Sequence, residues 1–365
     1  MNKRVSGLNR DFSPVDVDLR RFDEKEFRKS VNHAVDLITS SNRLIMYSHD
    51  DPDGLLSRAG VEYLSSMSGV KPSITRHSVH RMDYSSLDTS RDVTYVACDL
   101  AMHENDVGYD GLVEKFRGKP ARLVLLDHHR DGVFHAKSNV AFVNTSRVHE
   151  KVVTATGIVD ELNNAFVIAQ EKSPNPPQFE RRLANLIAAE TDGLLLDRQL
   201  DEHARRNGFD GERELRKFSR VLTMISTGGI KRMQEAGLIS RDAGSPLLYR
   251  DIPLLLYQGS LQGDDVKPLT DIREPVDYDK VADNVFSNLN GRRAAAVVFD
   301  EYVNQHAPGI MASTLEGSGR LDFSLVAQPE GDRYKLSVRT SERNRMHPLL
   351  DDDAIFHVQR NIWVT

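Results

Sequence analysis

Three short apolar runs stand out in the pattern of hydrophobic and polar positions along the first third of the chain. Residues 43–48, 93–98 and 122–126 are rich in Val, Ile, Leu and Tyr, and each run is followed closely by acidic or imidazole side chains. Runs of this length are typical of strands that are buried on both faces. Helical patterns separate them, at 55–67 and 104–116. Because strands alternate with helices, the pattern predicts an α/β fold with a doubly wound parallel sheet.

The pattern changes towards the C-terminus. A further strand is predicted at 139–143, followed by helices at 154–171 and 179–190 and by a charged helical stretch at 208–237. Several prolines then occur with scattered Gly and Asp, which indicates a linker at 241–276. Beyond it, the pattern predicts a helix at 280–289 and strands at 294–300, 321–328 and 333–340. We therefore predict a first domain at 1–240 and a smaller α+β domain at 277–365.

Composition and charge narrow the classes of function. The length of 365 residues exceeds what one hydrophobic core usually serves, and the formal net charge of −6 gives no global attraction to long duplex nucleic acid. The single cysteine excludes a disulfide framework and cysteine-based zinc sites, and it favours a reducing compartment. The N-terminal residues are charged, and no apolar run approaches the roughly 20 residues of a membrane span. A cytoplasmic protein without a membrane span is predicted.

Polar side chains follow each predicted buried strand. The carboxyl ends of neighbouring parallel strands meet at one edge of a sheet, where ligands bind, so these side chains are expected to lie together. A further acid follows the helix at 179–190. Taken singly, an Asp after a strand is more often a helix cap than a ligand. The residues concerned are His49, Asp51 and Asp53 after the first strand, Asp99 after the second, Asp127, His128 and His129 after the third, and Asp192 in the sequence ETDG.

A cluster of this kind requires a counter-charge, because neighbouring carboxylates raise each other's pKa in a partly dry site. Divalent cations supply that charge. Carboxylate and imidazole ligands without thiolate suit Mn²⁺ or Mg²⁺ better than a structural Zn²⁺. The ligands are too many for one open catalytic ion. They predict two ions, about 3.5–4 Å apart, arranged for attack on phosphorus.

These residues resemble the motifs of the DHH phosphoesterase superfamily, which is named for the triplet Asp127, His128, His129. The spacing of His49, Asp51 and Asp53 is similar to that of the RecJ-like exonuclease and oligoribonuclease branch, and it differs from the pyrophosphatase register. The resemblance covers residues 40–200 clearly and the C-terminal region weakly. It implies a catalytic domain, a DHH-associated substrate-binding domain, Mn²⁺ as cofactor, and a cleft between the domains that holds the substrate.

The resemblance also implies roles for individual residues. His49 and Asp51 would bind one ion, Asp53, His128 and Asp192 the other, and Asp99 would bridge them. Asp127 would orient an imidazole and His129 would face a phosphate oxygen, so both are counted with the catalytic residues.

The C-terminal segment resembles the DHH-associated domain less closely. The predicted strand at 333–340 contains KLSVRT, which is similar to the substrate-contacting strand of that domain. Arg339 is the predicted phosphate clamp, and a solvated strand face is the other interpretation. Arg343, Arg345 and His347 are further candidates for substrate binding. The Gly-Gly-His loop of the family is absent, since the chain reads NRMHPLLDDD there.

The resulting hypothesis is a metal-dependent phosphodiesterase that removes nucleoside monophosphates from an end of short single-stranded RNA or DNA. One alternative is a phosphohydrolase acting on a small nucleotide, such as a cyclic dinucleotide or adenosine 3',5'-bisphosphate. Another is a nucleotide-binding regulator without catalytic activity. The sequence leaves open whether the chain acts alone or as a homodimer.

Overall fold

The structure is a computed structural model of the chain. It describes residues 22–79, 81–102, 108–129, 132–145, 153–171, 182–191, 197–235, 246–258, 276–291, 293–303, 307–317 and 320–340.

A six-stranded sheet forms the centre of the N-terminal part. Its strands have the spatial order β2-β1-β3-β4-β6-β5, and all neighbours are parallel except β5 and β6. Strands β1, β3 and β4 are therefore adjacent and end at the same edge. The strands are β1 (Arg43–Ser48), β2 (Ser73–Ser78), β3 (Thr94–Cys98), β4 (Arg122–Asp127), β5 (Phe134–Lys137) and β6 (Val140–Asn144).

Helices cover both faces of this sheet. One core lies between the sheet and α1, α2 and α4 to α8, and the other lies between the opposite face and α3. This confirms the predicted doubly wound α/β fold. The helices are α1 (Glu24–Thr39), α2 (Pro52–Met67), α3 (Gly108–Phe116), α4 (Ala155–Glu171), α5 (Arg182–Thr191), α6 (Asp197–Arg206), α7 (Glu212–Glu235) and α8 (Pro246–Tyr257).

Strand β3 illustrates why the sheet strands are continuous apolar runs. All five of its residues are buried. Val96 and Cys98 belong to one core, whereas Tyr95 and Ala97 belong to the other. Because successive side chains alternate between two apolar layers, no position along the strand faces water, and alternation of polarity disappears.

A smaller three-stranded sheet forms the C-terminal part, with the order β7-β8-β9. Strands β7 and β8 are parallel, and β8 and β9 are antiparallel. Two helices pack against the sheet and share a separate apolar core with it. The elements are α9 (Tyr278–Asn288), β7 (Ala294–Val298), α10 (Ala307–Gly317), β8 (Phe323–Glu330) and β9 (Arg333–Thr340).

Some elements lie where the sequence predicted none, and β2 and α8 are the most informative of them. Strand β2 has the sequence SITRHS, and its side chains are exposed or only partly buried, so it carries no apolar run. Helix α8 falls within the segment 241–276 that was predicted as a linker. Its Tyr257 is fully buried and donates a hydrogen bond to Asp160 of α4. At least this part of the predicted linker therefore packs into the N-terminal core.

Across the described ranges, we find no helix with both the length and the apolar character required to cross a bilayer.

Candidate metal centre

The end of β1 supplies the first two side chains of the candidate centre. Asp51 caps α2: one of its carboxylate oxygens accepts a hydrogen bond of 2.9 Å from the backbone N–H of Gly54. The other oxygen lies 2.7 Å from Nδ1 of His49. Pro52 occupies the first turn of the helix, where a missing N–H costs nothing. The cap interpretation and the ligand interpretation of Asp51 are therefore compatible, because its two oxygens point to different partners.

Gly54 allows the chain to turn this tightly. A Cβ atom added at Gly54 would lie 2.4 Å from the backbone oxygen of His49, which is closer than real Cβ contacts. Any other residue would push the first turn of α2 away from His49. The glycine therefore holds His49 and Asp51 in their mutual geometry.

Asp99 follows β3 and adopts an unusual backbone conformation. Its φ angle is +58°, in the left-handed region that only Asn, Asp and Gly visit readily. A hydrogen bond of 2.8 Å from its N–H to the carbonyl of Leu126 in β4 holds this conformation. The residue is only 2% exposed. Strained backbone that the surrounding structure maintains is characteristic of functional sites.

Three imidazoles converge on the carboxylate of Asp99. Oδ1 lies 3.2 Å from Nε2 of His128 and 3.6 Å from Nδ1 of His129, and Oδ2 lies 3.8 Å from Nδ1 of His49. Two sets of three potential ligand atoms thus share Asp99: one contains His49 and Asp51, the other His128 and His129. Within each set, the atoms lie within 4.8 Å of one another. This donor set of carboxylate oxygens and imidazole nitrogens fits hard or borderline divalent cations.

Asp53 is held by the start of α4. Its Oδ2 accepts a hydrogen bond of 2.9 Å from the N–H of Ala155, and its Oδ1 accepts bonds of 2.8 and 2.6 Å from the N–H and the hydroxyl of Thr156. Oδ2 also lies 3.6 Å from Nε2 of His128. The fully buried carboxylate therefore borders the cluster while it is oriented by backbone and hydroxyl donors.

Asp127 lies beside the cluster and orients His129. One oxygen of Asp127 is 2.7 Å from Nδ1 of His129. The other accepts a hydrogen bond of 3.2 Å from the amide of Asn144, which also contacts the hydroxyl of Tyr109 at 2.9 Å. Nδ1 of His129 faces a carboxylate, so that nitrogen carries the proton when the bond forms. Nε2 of His129 is then the nitrogen that can meet a ligand.

The electrostatics reflect crowding of acids and imidazoles. Burial opposes the charged form of His49, but the hydrogen bond and charge of Asp51 outweigh it and raise the pKa of His49 to about 8. The same contact outweighs burial at Asp51 and lowers its pKa to about 2. At Asp53 burial outweighs the hydrogen bonds from Thr156 and raises the pKa to about 6. Metal ligands must be deprotonated, so a cation would compete with these protons.

The remaining predicted site residues are placed elsewhere or are not described. Asp192, Arg343, Arg345 and His347 lie outside the described residues. Arg339 lies in β9 opposite Ser324, on the face of the small sheet that packs against helices, and its side chain is exposed.

Two residues next to the cluster were missed by sequence reasoning. Asn144 is the last residue of β6 and pairs in register with Asp127, so the rule that polar residues at strand ends meet would have found it. Thr156 had no such signal, because its role depends on contact between α4 and the first turn of α2.

The fold and the cluster together define the chain as a doubly wound α/β protein with a group of imidazoles and carboxylates, suited to divalent cations, at the carboxyl edge of its sheet. No protein-family model and no curated protein matches the sequence.

Solved structures are similar to the chain at low sequence identity. Exonuclease RecJ bound to manganese is 15% identical, over 90% of this chain and 84% of that one, with a TM-score of 0.46. The DHH domain of a protein assigned to a family of ribosomal proteins is 17% identical over 86% and 77%, with a TM-score of 0.48. CDC45 from Entamoeba histolytica is 8% identical over 88% and 89%, with a TM-score of 0.47.

Proposed function

We propose that the chain is a DHH-type phosphoesterase that depends on divalent metal ions and hydrolyses short single-stranded oligonucleotides from an end, releasing nucleoside monophosphates. The observation that carries the proposal is the position of Asp99, whose carboxylate lies between Nδ1 of His49 at 3.8 Å and Nε2 of His128 at 3.2 Å. One carboxylate shared by two ligand sets is the arrangement that two neighbouring cations require.

The residues of the cluster form two groups of metal ligands. His49 and Asp51 would hold one ion, and His128 and Asp53 would hold the other together with Asp192, the ligand that the motif resemblance adds. Asp99 would be a ligand of both. Bound divalent ions supply an activated water and neutralise charge on the phosphate.

His129 contacts the substrate and is not one of the proposed metal ligands. Asp127 fixes its ring through Nδ1, so Nε2 can contact a non-bridging phosphate oxygen. When water adds to phosphorus and the P–O ester bond breaks, negative charge grows on these oxygens. A charged or donating imidazole at this position stabilises that charge.

The substrate class follows from the spacing of the first motif and from the C-terminal strand. The His-x-Asp-x-Asp-Gly register resembles that of RecJ-like exonucleases and oligoribonucleases. Arg339 is proposed to bind substrate phosphate across a cleft between the two sheets, because its guanidinium suits phosphate oxygens. Aromatic residues make up only 7% of the chain, which disfavours an extended stacking platform and favours a short substrate.

The test is digestion of end-labelled RNA and DNA oligonucleotides of about two to ten nucleotides in Mn²⁺ or Mg²⁺, with products resolved at single-nucleotide steps. A stepwise ladder that ends in mononucleotides is expected. Asp99→Asn is the matched variant, since it keeps the size of the side chain and removes its charge. It should lose hydrolysis by a factor of about 10³ or more and should also lose the rise in melting temperature that Mn²⁺ gives the wild type.

Parallel assays decide between the alternatives. Turnover of a cyclic dinucleotide or of adenosine 3',5'-bisphosphate, without digestion of oligonucleotides, would replace the proposed substrate with a small nucleotide. Nucleotide binding with no product in either metal would instead indicate a regulator. Undiminished hydrolysis by Asp99→Asn would overturn the assignment of the centre.

A further inference from the structure

Arg58 reaches the same edge of the sheet as the candidate metal centre. It lies on α2, one turn after Gly54, and its Nη1 is 3.3 Å from the hydroxyl of Ser48 and 3.0 Å from the hydroxyl of Ser78. These serines are the last residues of β1 and β2, and they pair in register. Ser48 directly precedes His49. The guanidinium therefore lies at the carboxyl ends of two parallel strands, on the edge of the sheet where the cluster also lies.

The contacts of Arg58 are neutral. Its hydrogen bonds go to two hydroxyls, and within the described part of the chain it forms no ion pair with a carboxylate. The acid nearest in sequence on α2 is Glu62, which binds Arg76 through two bonds of 2.7 and 2.6 Å. Glu62 is therefore already engaged with another cation.

This environment is unfavourable for a cation. Burial lowers the pKa of Arg58, and the attraction of Glu62 does not compensate for it. A partly buried guanidinium without a carboxylate costs free energy unless an anion completes its hydrogen bonds. Because Arg58 lies at the edge where parallel sheets bind their ligands, that anion is expected to come from the substrate.

We propose that Arg58 binds a phosphate group of the substrate other than the one that is hydrolysed. The proposal rests on the proposed function and extends it: the preferred substrate carries at least two phosphate groups, one at the Asp99 cluster and one at the β1–β2 end of the same edge. A guanidinium suits this task, since its planar N–H groups match phosphate oxygens. Ser48 and Ser78 hold the guanidinium in place for that contact.

The competing interpretation is that Arg58 only connects β1 to β2. The structural role and the phosphate-binding role of Arg58 predict different effects of its substitution. A structural connection affects stability and the turnover of every substrate equally, whereas a phosphate contact affects only substrates that have a second phosphate.

The experiment compares three kinds of substrate in Mn²⁺: bis(4-nitrophenyl) phosphate, a deoxyadenosine dinucleotide with one phosphate, and the same dinucleotide with an added terminal phosphate, made separately at the 5' and the 3' end. The variants are Arg58→Gln and Arg58→Lys. Arg91→Gln is the control for loss of one positive charge, because Arg91 is exposed, pairs with Asp88 and precedes β3 at the opposite edge of the sheet.

Wild-type protein is expected to prefer one of the two terminally phosphorylated dinucleotides. Arg58→Gln should raise KM for that substrate about ten-fold or more, with little change in kcat, and should leave the substrates with one phosphate within about two-fold. Arg58→Lys should restore part of the preference, and Arg91→Gln should resemble wild type. Melting temperatures show whether a variant is folded. If Arg58→Gln is unfolded, Arg58→Lys is compared with wild type instead.

Equal loss on all substrates, or an unchanged preference in Arg58→Gln, would overturn the proposal and leave Arg58 as a structural connection. These results can be distinguished from failure of the proposed function, in which wild-type protein hydrolyses none of the substrates. If no substrate is hydrolysed by wild type, binding of the phosphorylated dinucleotide is measured by calorimetry, where weaker binding to Arg58→Gln supports the contact and equal binding refutes it.

Discussion

Thr156 donates both its backbone N–H and its hydroxyl to the same carboxylate oxygen of Asp53, at 2.8 and 2.6 Å. The neighbouring N–H of Ala155 donates to the other oxygen. The N-terminus of α4 is thus satisfied by an acid from α2, and the positive end of the helix dipole faces that acid. Helix α4 and the candidate metal centre are coupled through this one carboxylate.

Thr156→Val is therefore expected to weaken the centre rather than the fold. The substitution keeps the branched shape and removes the hydroxyl, so the carboxylate of Asp53 loses one of the donors that orient it. Loss of a partner that orients a ligand typically costs about 10- to 100-fold in metal affinity. Calorimetric titration with Mn²⁺ measures the change. Thr156→Ser retains the hydroxyl and should bind Mn²⁺ like wild type, and equal affinity in the valine variant would contradict the role of Thr156.

Gly54→Ala tests the close contact between α2 and His49. An added Cβ would meet the backbone oxygen of His49 at 2.4 Å, so either the first turn of α2 or the strand end must shift. We expect lower stability and a loss of Mn²⁺ binding, measured by thermal unfolding with and without the ion. Gly309→Ala is the control, since a Cβ there meets nothing within 4 Å. Full Mn²⁺ stabilisation in Gly54→Ala would show that the turn tolerates displacement.

The sheet and most of the cluster could be predicted because they depend on local pattern. Apolar runs define β1, β3 and β4, and the residues that follow them, such as His49 and Asp99, share one edge by the geometry of parallel sheets. Strand β2 lacks that signal: it is an edge strand whose polar side chains remain exposed or partly buried. Strand β2 is stabilised by its pairing with β1, and no local sequence pattern indicates this pairing.

Contacts distant in sequence were beyond prediction for a related reason. Asp53 and Thr156 are 103 positions apart, and their bond requires the folded arrangement of α2 and α4. Tyr257 likewise fills a place beside Gly60 that exists only when α8 packs on α2. The sequence of the segment 241–276, with its several prolines, resembles a linker. Its helix α8 nevertheless contributes to the N-terminal core.

Cys98 provides a chemical probe of opening at the centre. It is the only cysteine of the chain, it is fully buried in β3, and burial raises its pKa to about 12. Because thiolate is the reactive form, the native protein should resist a thiol reagent at about pH 8 and react after unfolding in denaturant. Mn²⁺ at about 100 times its Kd should slow the reaction about 100-fold when refolding is faster than labelling, because the bound ion lowers the equilibrium population of the unfolded form by that factor.

The matched variant for this labelling is Asp99→Asn, whose rate should not respond to Mn²⁺. Rapid labelling of the native wild-type protein would mean that the carboxyl end of β3 is accessible, contrary to the buried position of Cys98.

Among the described side chains, two Arg–Asp pairs join α7 to α9, and the two pairs differ in burial. Arg220 is 6% exposed, contacts Asp279 at 3.3 Å and covers the ring of Tyr278. Arg213 contacts Asp283 at 3.0 Å with both side chains largely exposed. Removing one partner of a buried pair leaves an uncompensated charge, which costs roughly 3–5 kcal/mol, whereas an exposed pair contributes about 0–1 kcal/mol.

Arg220→Ala should therefore lower the free energy of unfolding by about 3 kcal/mol and Arg213→Ala by less than about 1 kcal/mol, as measured by urea denaturation. The double variant Arg220→Met with Asp279→Leu removes the buried charge of Arg220 and the partly buried charge of Asp279, and it should recover most of the loss, because the apolar core around Tyr278 accepts these side chains. Equal effects of the two single variants would mean that the contact between α7 and α9 is solvated in solution and does not fix the position of the small sheet.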